Sequence, residues 1–442
     1  MGNNKYPQII NSILDNDLYA LTMSQAALQL YPKFRTEDEV LRIKNIAFPE
    51  GFVEELREQI NLMANLALSE EQAAFLKDTC YYLTDEFIEW FKSYRFDPQE
   101  IEIKQNSSYL KVYAKGRFCR TAFWETPILA LISELYYIMT KQDEGIYFFQ
   151  KAEAKGRRLR QIGAHFSEFG SRRRFSFEVQ KSVLEALIRT AGLSSENGVL
   201  NGTSNVQLAM DLGLTPMGTN AHKWYQLHAG LFGIRMANKK ALEAWQEVYD
   251  TRLGIALTDT FTTDEFLKCF DRHLALLYDG VRQDSGDPIA FTDKILAHYK
   301  SLDIDPMSKT ILFSDSLNIE LVEKIVAYCA GKIKCAFGIG TFFSNDIEGV
   351  EPLRIVMKQI AVYMEDGRKV DTVKLSDDPA NKASGNPIAI MHAKYEIGIA
   401  NITAEDFKNE EMLLKILEMI TINFPLSDGN YSVALSKYKN KL

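Results

Sequence analysis

Cysteine is scarce in this chain. The five present, Cys80, Cys119, Cys269, Cys329 and Cys335, show no CxxC spacing, so neither a zinc site nor a disulfide framework is indicated. No stretch approaches the roughly 18 apolar residues of a membrane helix, and residues 1–10 hold no apolar signal core. There is no basic excess either. Lys and Arg number 51 against 59 Asp and Glu, a net charge of −8, which argues against a chain built mainly to bind nucleic acid but leaves room for a local basic pocket. Internal repeats, low-complexity blocks and Pro/Gly/Ser linkers are missing. So is a GxGxxG turn after a first strand, which weakens a dinucleotide-binding fold. The expectation is a cytoplasmic, reduced enzyme whose 442 residues form about two domains.

What is present falls into two rhythms. Up to about residue 125 the pattern is mixed, with helical periodicity over residues 15–32, 53–67, 70–79 and 84–93 and strand-like stretches at 43–48 and 100–118. An apolar helix over 126–139 bridges onward. After about residue 160, short apolar strands alternate with helices over 176–191, 263–278, 288–299 and 318–330. Such alternation implies a parallel sheet, and six to eight repeats favour a closed barrel. The fold class is therefore α/β: a (β/α) barrel-like catalytic domain over 126–389, plus a smaller α+β domain. The smaller domain comprises residues 1–125, with 390–442 expected to pack on it and a final helix over 404–420.

The strand ends carry the chemistry. Gly218-Thr219-Asn220-Ala221-His222 reads as one tip, Thr258-Asp259-Thr260 as another, and Arg282-Gln283-Asp284-Ser285-Gly286-Asp287 as a third. Ser314-Asp315-Ser316 and Gly338-Ile339-Gly340-Thr341 follow. In a barrel these ends share one face. His222 near Asp259 suits a nucleophile or proton carrier whose tautomer a carboxylate fixes. Arg282 and Asp284 suit a sugar hydroxyl pair or a Mg²⁺-bound diphosphate, whereas Asp287-Pro288 reads as a helix cap. The GxGT turn lets backbone N–H groups approach an anion, with Arg354 and Lys358 expected on the next strand. His228 reads as structural. One of Arg172, Arg173 and Arg174 is expected to face the pocket and bind a small carboxylate. The residues point to a barrel enzyme handling a phosphorylated sugar with Mg²⁺. An aldolase or isomerase with a Schiff-base Lys358 stays open.

The segment 163–175, with Phe169-Gly170-Ser171-Arg172-Arg173-Arg174, resembles the arginine-bearing segment of the nicotinate phosphoribosyltransferases. Residues 200–206, 218–222, 281–287 and 338–341 fall in that family's order, and Asn16-Asp17-Leu18-Tyr19 and Val373-Lys374-Leu375-Ser376 also fit. The resemblance implies a type II phosphoribosyltransferase barrel. It also implies transfer of phosphoribose from phosphoribosyl diphosphate to nicotinate with Mg²⁺, giving nicotinate mononucleotide and diphosphate for NAD salvage. ATP hydrolysis would be coupled through a phosphohistidine at His222, with Asp259 orienting the imidazole. Phe169, with Tyr19 from a neighbouring subunit of a homodimer, would sandwich the pyridine, and Arg172 would hold its carboxylate. Arg282 and Asp284 would bind ribose and diphosphate. Asp315, Gly338, Gly340, Thr341 and Lys358 would line the phosphate end.

Two positions tune that expectation. The relatives that use nicotinamide carry aspartate where this chain has Ser204. Serine can donate to a carboxylate that an aspartate would repel, which favours the acid as substrate. Ser204 also reads as a helix N-cap. After the histidine, bacterial relatives often have glutamate, and this chain has Lys223, a cation that would disfavour imidazolium if it faces His222. The competing readings are a nicotinamide-preferring transferase and a non-catalytic paralogue that binds NAD precursors.

Overall fold

The computed structural model describes residues 5–43, 46–106, 109–143, 145, 148–378 and 382–399. In chain order its strands are β1 (Arg35–Leu41), β2 (Ile101–Asn106), β3 (Tyr109–Arg117), β4 (Phe166–Glu168), β5 (Leu200–Thr203), β6 (Ile255–Leu257), β7 (Gly280–Gln283), β8 (Thr310–Phe313), β9 (Lys334–Ile339), β10 (Val356–Tyr363) and β11 (Lys369–Asp371). They form two sheets, an antiparallel one ordered β11-β10-β1-β3-β2 and a parallel one ordered β5-β4-β9-β8-β7-β6.

The parallel sheet is barrel-like. Neighbours follow one another along the chain from β6 to β9, and β9 then returns to pair with β4. Between β5 and β6 the described residues form no strand. There Pro216 bridges to Thr203 and leads into the helix His222–Phe232. Its strands are short because each is buried: Leu257, Val281, Ile311, Phe313, Phe337 and Ile339 are all almost inaccessible, as parallel strands covered on both faces require. Helices are launched after them by side-chain caps. Ser176, Asp287 and Asn318 each accept an N–H from the first turn of the helix that follows.

Several sequence expectations shift. The strand expected at 43–48 is instead β1, whose sequence Arg-Thr-Glu-Asp-Glu-Val-Leu is too polar for an apolar pattern to find. It holds a central position because its acids are satisfied across the sheet. Glu37 accepts from the Tyr363 hydroxyl (2.7 Å) and pairs with Lys115 and Lys369, each at 3.2 Å. The helix expected over 263–278 is two, Thr263–Cys269 and Arg272–Leu277, because Asp271 turns its side chain to cap Leu274 N–H. Strands β10 and β11, inside the segment assigned to the barrel, belong to the antiparallel sheet. Arg354 lies before β10, exposed and paired with Glu351. The helix expected over 404–420 lies outside the described residues. The helix Pro387–Glu396 packs on Ile234–Tyr249 through Arg235, which donates to Glu396 O at 2.9 Å.

The antiparallel sheet rests on the helix that begins at His222. Gln226 donates to Gln359 O (2.8 Å), and a Cβ at Gly230 would fall 2.6 Å from Val362 Cγ2, so the sheet approaches this closely only over glycine. A second joint is a buried ion cluster. Arg174, with no exposed surface, donates through both terminal nitrogens to Asp15 (2.6 and 2.7 Å) and through Nε to Glu134 (2.6 Å). It thereby ties the N-terminal segment and the helix Glu125–Met139 to the loop after β4.

Arg174→Met would leave Asp15 and Glu134 buried without a counter-charge. The expected cost is about 3–5 kcal/mol, read as a lowered urea midpoint at an unchanged slope. A loss below about 1 kcal/mol would mean the cluster does not hold these elements together.

Candidate active site

The carboxyl ends of the parallel strands face the antiparallel sheet across a cleft. Of the residues expected in the site, Tyr19, Phe169, Arg172, Ser204, His222, Arg282, Asp284 and Lys358 line one cavity there. Asp17, Glu125, Lys223, Gln226 and Gln359 line it as well. Lys223 was noted as the residue after the histidine, but Glu125, Gln226 and Gln359 were not singled out, because they sit within helices or a strand rather than at strand tips. Asp17 was visible as a helix-cap candidate and as part of the Asn16–Tyr19 motif.

His222 is the first residue of its helix, following the N-cap Ala221, rather than the end of a strand. The ring is 5% exposed. Its Nδ1 lies 3.1 Å from Thr260 Oγ1 and 3.8 Å from Asp259 Oδ1, and its Nε2 lies 2.9 Å from Asp284 Oδ2. The direct carboxylate contact is therefore with Asp284, and Asp259 stands behind. A residue with no assigned role completes the set: Lys374 places Nζ 2.9 Å from His222 Nε2 and 3.0 Å from Asp259 Oδ2. Burial first, and then the Lys374 charge, hold the imidazole pKa down to about 4, so the ring is neutral at physiological pH. Burial opposes ionisation of Asp284. Arg282, 2.8 Å away, and the His222 contact outweigh it and hold the carboxyl well below its usual range. Ser314 and Thr219 fix the Arg282 guanidinium at 2.8 and 3.2 Å.

The opposite end of the cavity is aromatic and cationic. Phe169 and Arg172 follow β4 on a loop pinned by Glu168, whose buried carboxylate accepts from Gly170 N (2.6 Å), Thr203 Oγ1 (2.7 Å) and Gln180 Nε2 (2.9 Å). Of the three arginines only Arg172 faces the cavity. Arg174 is locked in its ion cluster, and Arg173 donates through Nε to Ile355 O at 2.8 Å. Arg172 lies 3.3 Å from Glu125 and 3.9 Å from Asp17, with its guanidinium 6.0 Å from the Tyr19 ring. Tyr19 reaches this cavity from the same chain, not from a neighbouring subunit as expected. Lys358 has no hydrogen-bond partner among the described residues. Burial and the Lys374 charge lower its pKa to about 7.

Other expectations resolve differently. Ser204 donates its hydroxyl to Asp17 (2.6 Å), and the helix cap is Asn205, which accepts from Leu208 N. Lys223 is buried against Asp38 (3.2 Å) and Glu125 (3.7 Å), so the cation that keeps His222 neutral is Lys374 rather than Lys223. Gly338 and Gly340 admit the Phe169 residue: a Cβ on Gly338 would lie 2.5 Å from its ring, and one on Gly340 3.0 Å from its carbonyl oxygen. Thr341 opens the short helix Thr341–Ser344. Asp315 does not line the cavity and is paired with Lys382 at 2.7 Å. His228 is structural as expected, bonded to Trp224 O and the Tyr31 hydroxyl.

Comparison with known proteins matches residues 164–399 to the nicotinate phosphoribosyltransferase (NAPRTase) family and residues 14–133 to the NAPRTase N-terminal domain. A nicotinate phosphoribosyltransferase of Chromohalobacter salexigens is 42% identical over 394 residues, covering 89% of this chain and 99% of that one. The crystal structure of the Porphyromonas gingivalis nicotinate phosphoribosyltransferase superposes with a TM-score of 0.85 at 41% identity, over 88% of this chain and all of that one. The Vibrio cholerae structure gives 0.83 at 31% identity, over 95% of this chain and all of the other.

Gly338→Ala would push the Phe169 ring into the cavity without touching a charged residue. The expected result is a folded protein whose KM for the aromatic substrate rises about tenfold, equivalent to about 1.4 kcal/mol. An unchanged KM would show that the position of Phe169 is irrelevant to binding.

Proposed function

The chain belongs to the nicotinate phosphoribosyltransferase family, and from that premise we propose that it makes nicotinate mononucleotide and diphosphate from nicotinate and phosphoribosyl diphosphate. This is a salvage step toward NAD, with ATP hydrolysis coupled through phosphorylation of His222. The observation that carries the reading is that an arginine-and-aromatic end and a histidine–carboxylate end line one cavity. Relatives named for the acid substrate favour it over a nicotinamide enzyme or a non-catalytic binder.

In this reading Phe169 and Tyr19 hold the pyridine ring, and Arg172 pairs with its carboxylate. That pairing loosens the present contacts of Arg172 with Glu125 and Asp17. Ser204, already donating to Asp17, stands where an aspartate would add a third carboxylate beside Asp17 and Glu125 and repel the acid group. Phosphoribosyl diphosphate lies toward Arg282 and Asp284, with the free ammonium of Lys358 facing its phosphates. As diphosphate leaves, positive charge grows on the ribose, and a held carboxylate such as Asp284 stabilises it. Stacking places the ring nitrogen for attack, and the covering sheet limits access of water. Magnesium belongs with the diphosphate substrate in this account. Among the described residues the set His222, Asp259 and Asp284 is the one group spaced to hold a cation, and the Lys374 ammonium already lies against it. The homodimer is part of the reading through the family. Each protomer then brings its own Tyr19 to its own cavity.

Incubation with γ-labelled ATP is expected to leave acid-labile, base-stable label on the protein. His222→Asn removes the label and the ATP stimulation together, and leaves a slower ATP-independent transfer because positioning by Arg172, Phe169 and Arg282 persists. Label retained by His222→Asn would place the acceptor elsewhere.

A further inference from the structure

Lys374 reaches His222 on a strap that leaves the antiparallel sheet after β11 and crosses the barrel's strand ends. Leu375 N donates to Thr260 O (2.8 Å), Asp377 N donates to Ser285 Oγ (3.0 Å), and the Asp377 carboxylate accepts from Thr263 N and Oγ1, each at 2.6 Å. The lysine is 7% exposed, so its ammonium is placed by this framework rather than drawn in from solvent.

The imidazole cannot satisfy all its neighbours at once. A proton on Nε2 would suit Asp284 Oδ2, but it would face the Lys374 ammonium at 2.9 Å. A bare Nε2 accepts from Lys374, and the ring proton then sits on Nδ1. On that side lie Thr260 Oγ1, able to accept, and Asp259 Oδ1, a buried oxygen with no hydrogen-bond partner. Lys374, Thr260 and Asp259 thus fit one tautomer, and Asp284 fits the other. Asp284 is the more easily satisfied elsewhere, since its Oδ1 already accepts from Arg282 and Ser314, both at 2.8 Å.

We propose that Lys374 is a positioning residue that keeps His222 Nε2 unprotonated, with the ring proton on Nδ1, and that it serves as counter-ion to the phosphoryl group Nε2 receives. The second half rests on the reading of His222 as the phosphoryl acceptor. In that step the Nε2 lone pair attacks the γ-phosphorus of ATP. The Nε2–P bond forms, the bond from that phosphorus to the β,γ-bridging oxygen breaks, and ADP leaves with the electron pair. The Nδ1 proton stays on the ring. Asp259 Oδ1 faces the positive charge the ring acquires, and Lys374 moves from Nε2 to the phosphoryl oxygens, a charge-assisted contact.

The test compares the full chain with Lys374→Met and Lys374→Arg. ¹⁵N-histidine spectra report which ring nitrogen of His222 carries the proton, and labelling rates with γ-labelled ATP report phosphorylation. The expected result is an Nδ1–H tautomer in the wild type and an Nε2–H tautomer, bonded to Asp284, in Lys374→Met. Labelling by Lys374→Met should be slower by about tenfold to a hundredfold, with partial recovery in Lys374→Arg. Lys374→Gln serves the same comparison if the methionine variant does not fold. An Nε2–H tautomer in the wild type, or labelling of Lys374→Met at the wild-type rate, overturns the proposal. A wild type that shows Nδ1–H but takes no label overturns the acceptor reading of His222 and leaves the tautomer assignment standing.

Discussion

The structure depends on balancing charge in a place where water is scarce. Between the barrel's strand ends and the antiparallel sheet, Lys223 stands against Asp38 and Glu125, Lys374 against Asp259, and Arg282 against Asp284. Isolated, each of these ions would cost several kcal/mol to bury. The Lys223 and Lys374 pairs require the two sheets to meet in one arrangement, because their partners come from segments far apart in the chain, whereas Arg282 and Asp284 are two residues apart. Asp38 is on β1 and Lys223 on the barrel's helix. Lys374 leaves β11 to meet an aspartate that follows β6. The cavity is what remains where this pairing is incomplete.

The incomplete places are the reactive ones. Lys358, its pKa lowered to about 7 by burial and the Lys374 charge, has no hydrogen-bond partner among the described residues, Asp259 Oδ1 is buried without a donor, and Arg172 lies only loosely against its acids. An anionic substrate set would complete what the fold leaves open: a carboxylate for Arg172 and phosphates for Lys358. The neutral state of His222 follows from the same balance. Two nearby lysines and burial disfavour the imidazolium more than Asp259 and Asp284 favour it.

Much of this was legible in the sequence, for identifiable reasons. Parallel strands are short and apolar, so their ends announce themselves, and Asp259, Arg282 and Asp284 were placed at strand ends by that rule, whereas Phe169 came only from the family resemblance. The rule failed where the site is built from other elements. His222 opens a helix, Lys358 sits in the middle of an antiparallel strand, and Glu125 starts a helix that reads as core. Strand β1 escaped because its burial is satisfied by cross-strand ions, which an apolar pattern does not register. The roles of Lys374 and Lys223 depend on partners 152 and 185 residues away, and nothing local to either residue reveals such a partner. The GxGT turn shows the converse: glycines read as a cradle for an anion instead make room for Phe169.

In the proposed function this cleft recognises a pyridine carboxylate and joins it to phosphoribose. The most direct measurement is the steady-state formation of mononucleotide by the purified full chain from phosphoribosyl diphosphate and nicotinate, beside the same assay with nicotinamide. The account predicts product from the acid, with kcat/KM higher than for the amide by on the order of a thousandfold, because Arg172 is left without its partner when the carboxylate is absent. Equal use of the two bases, or no product from nicotinate, would contradict it.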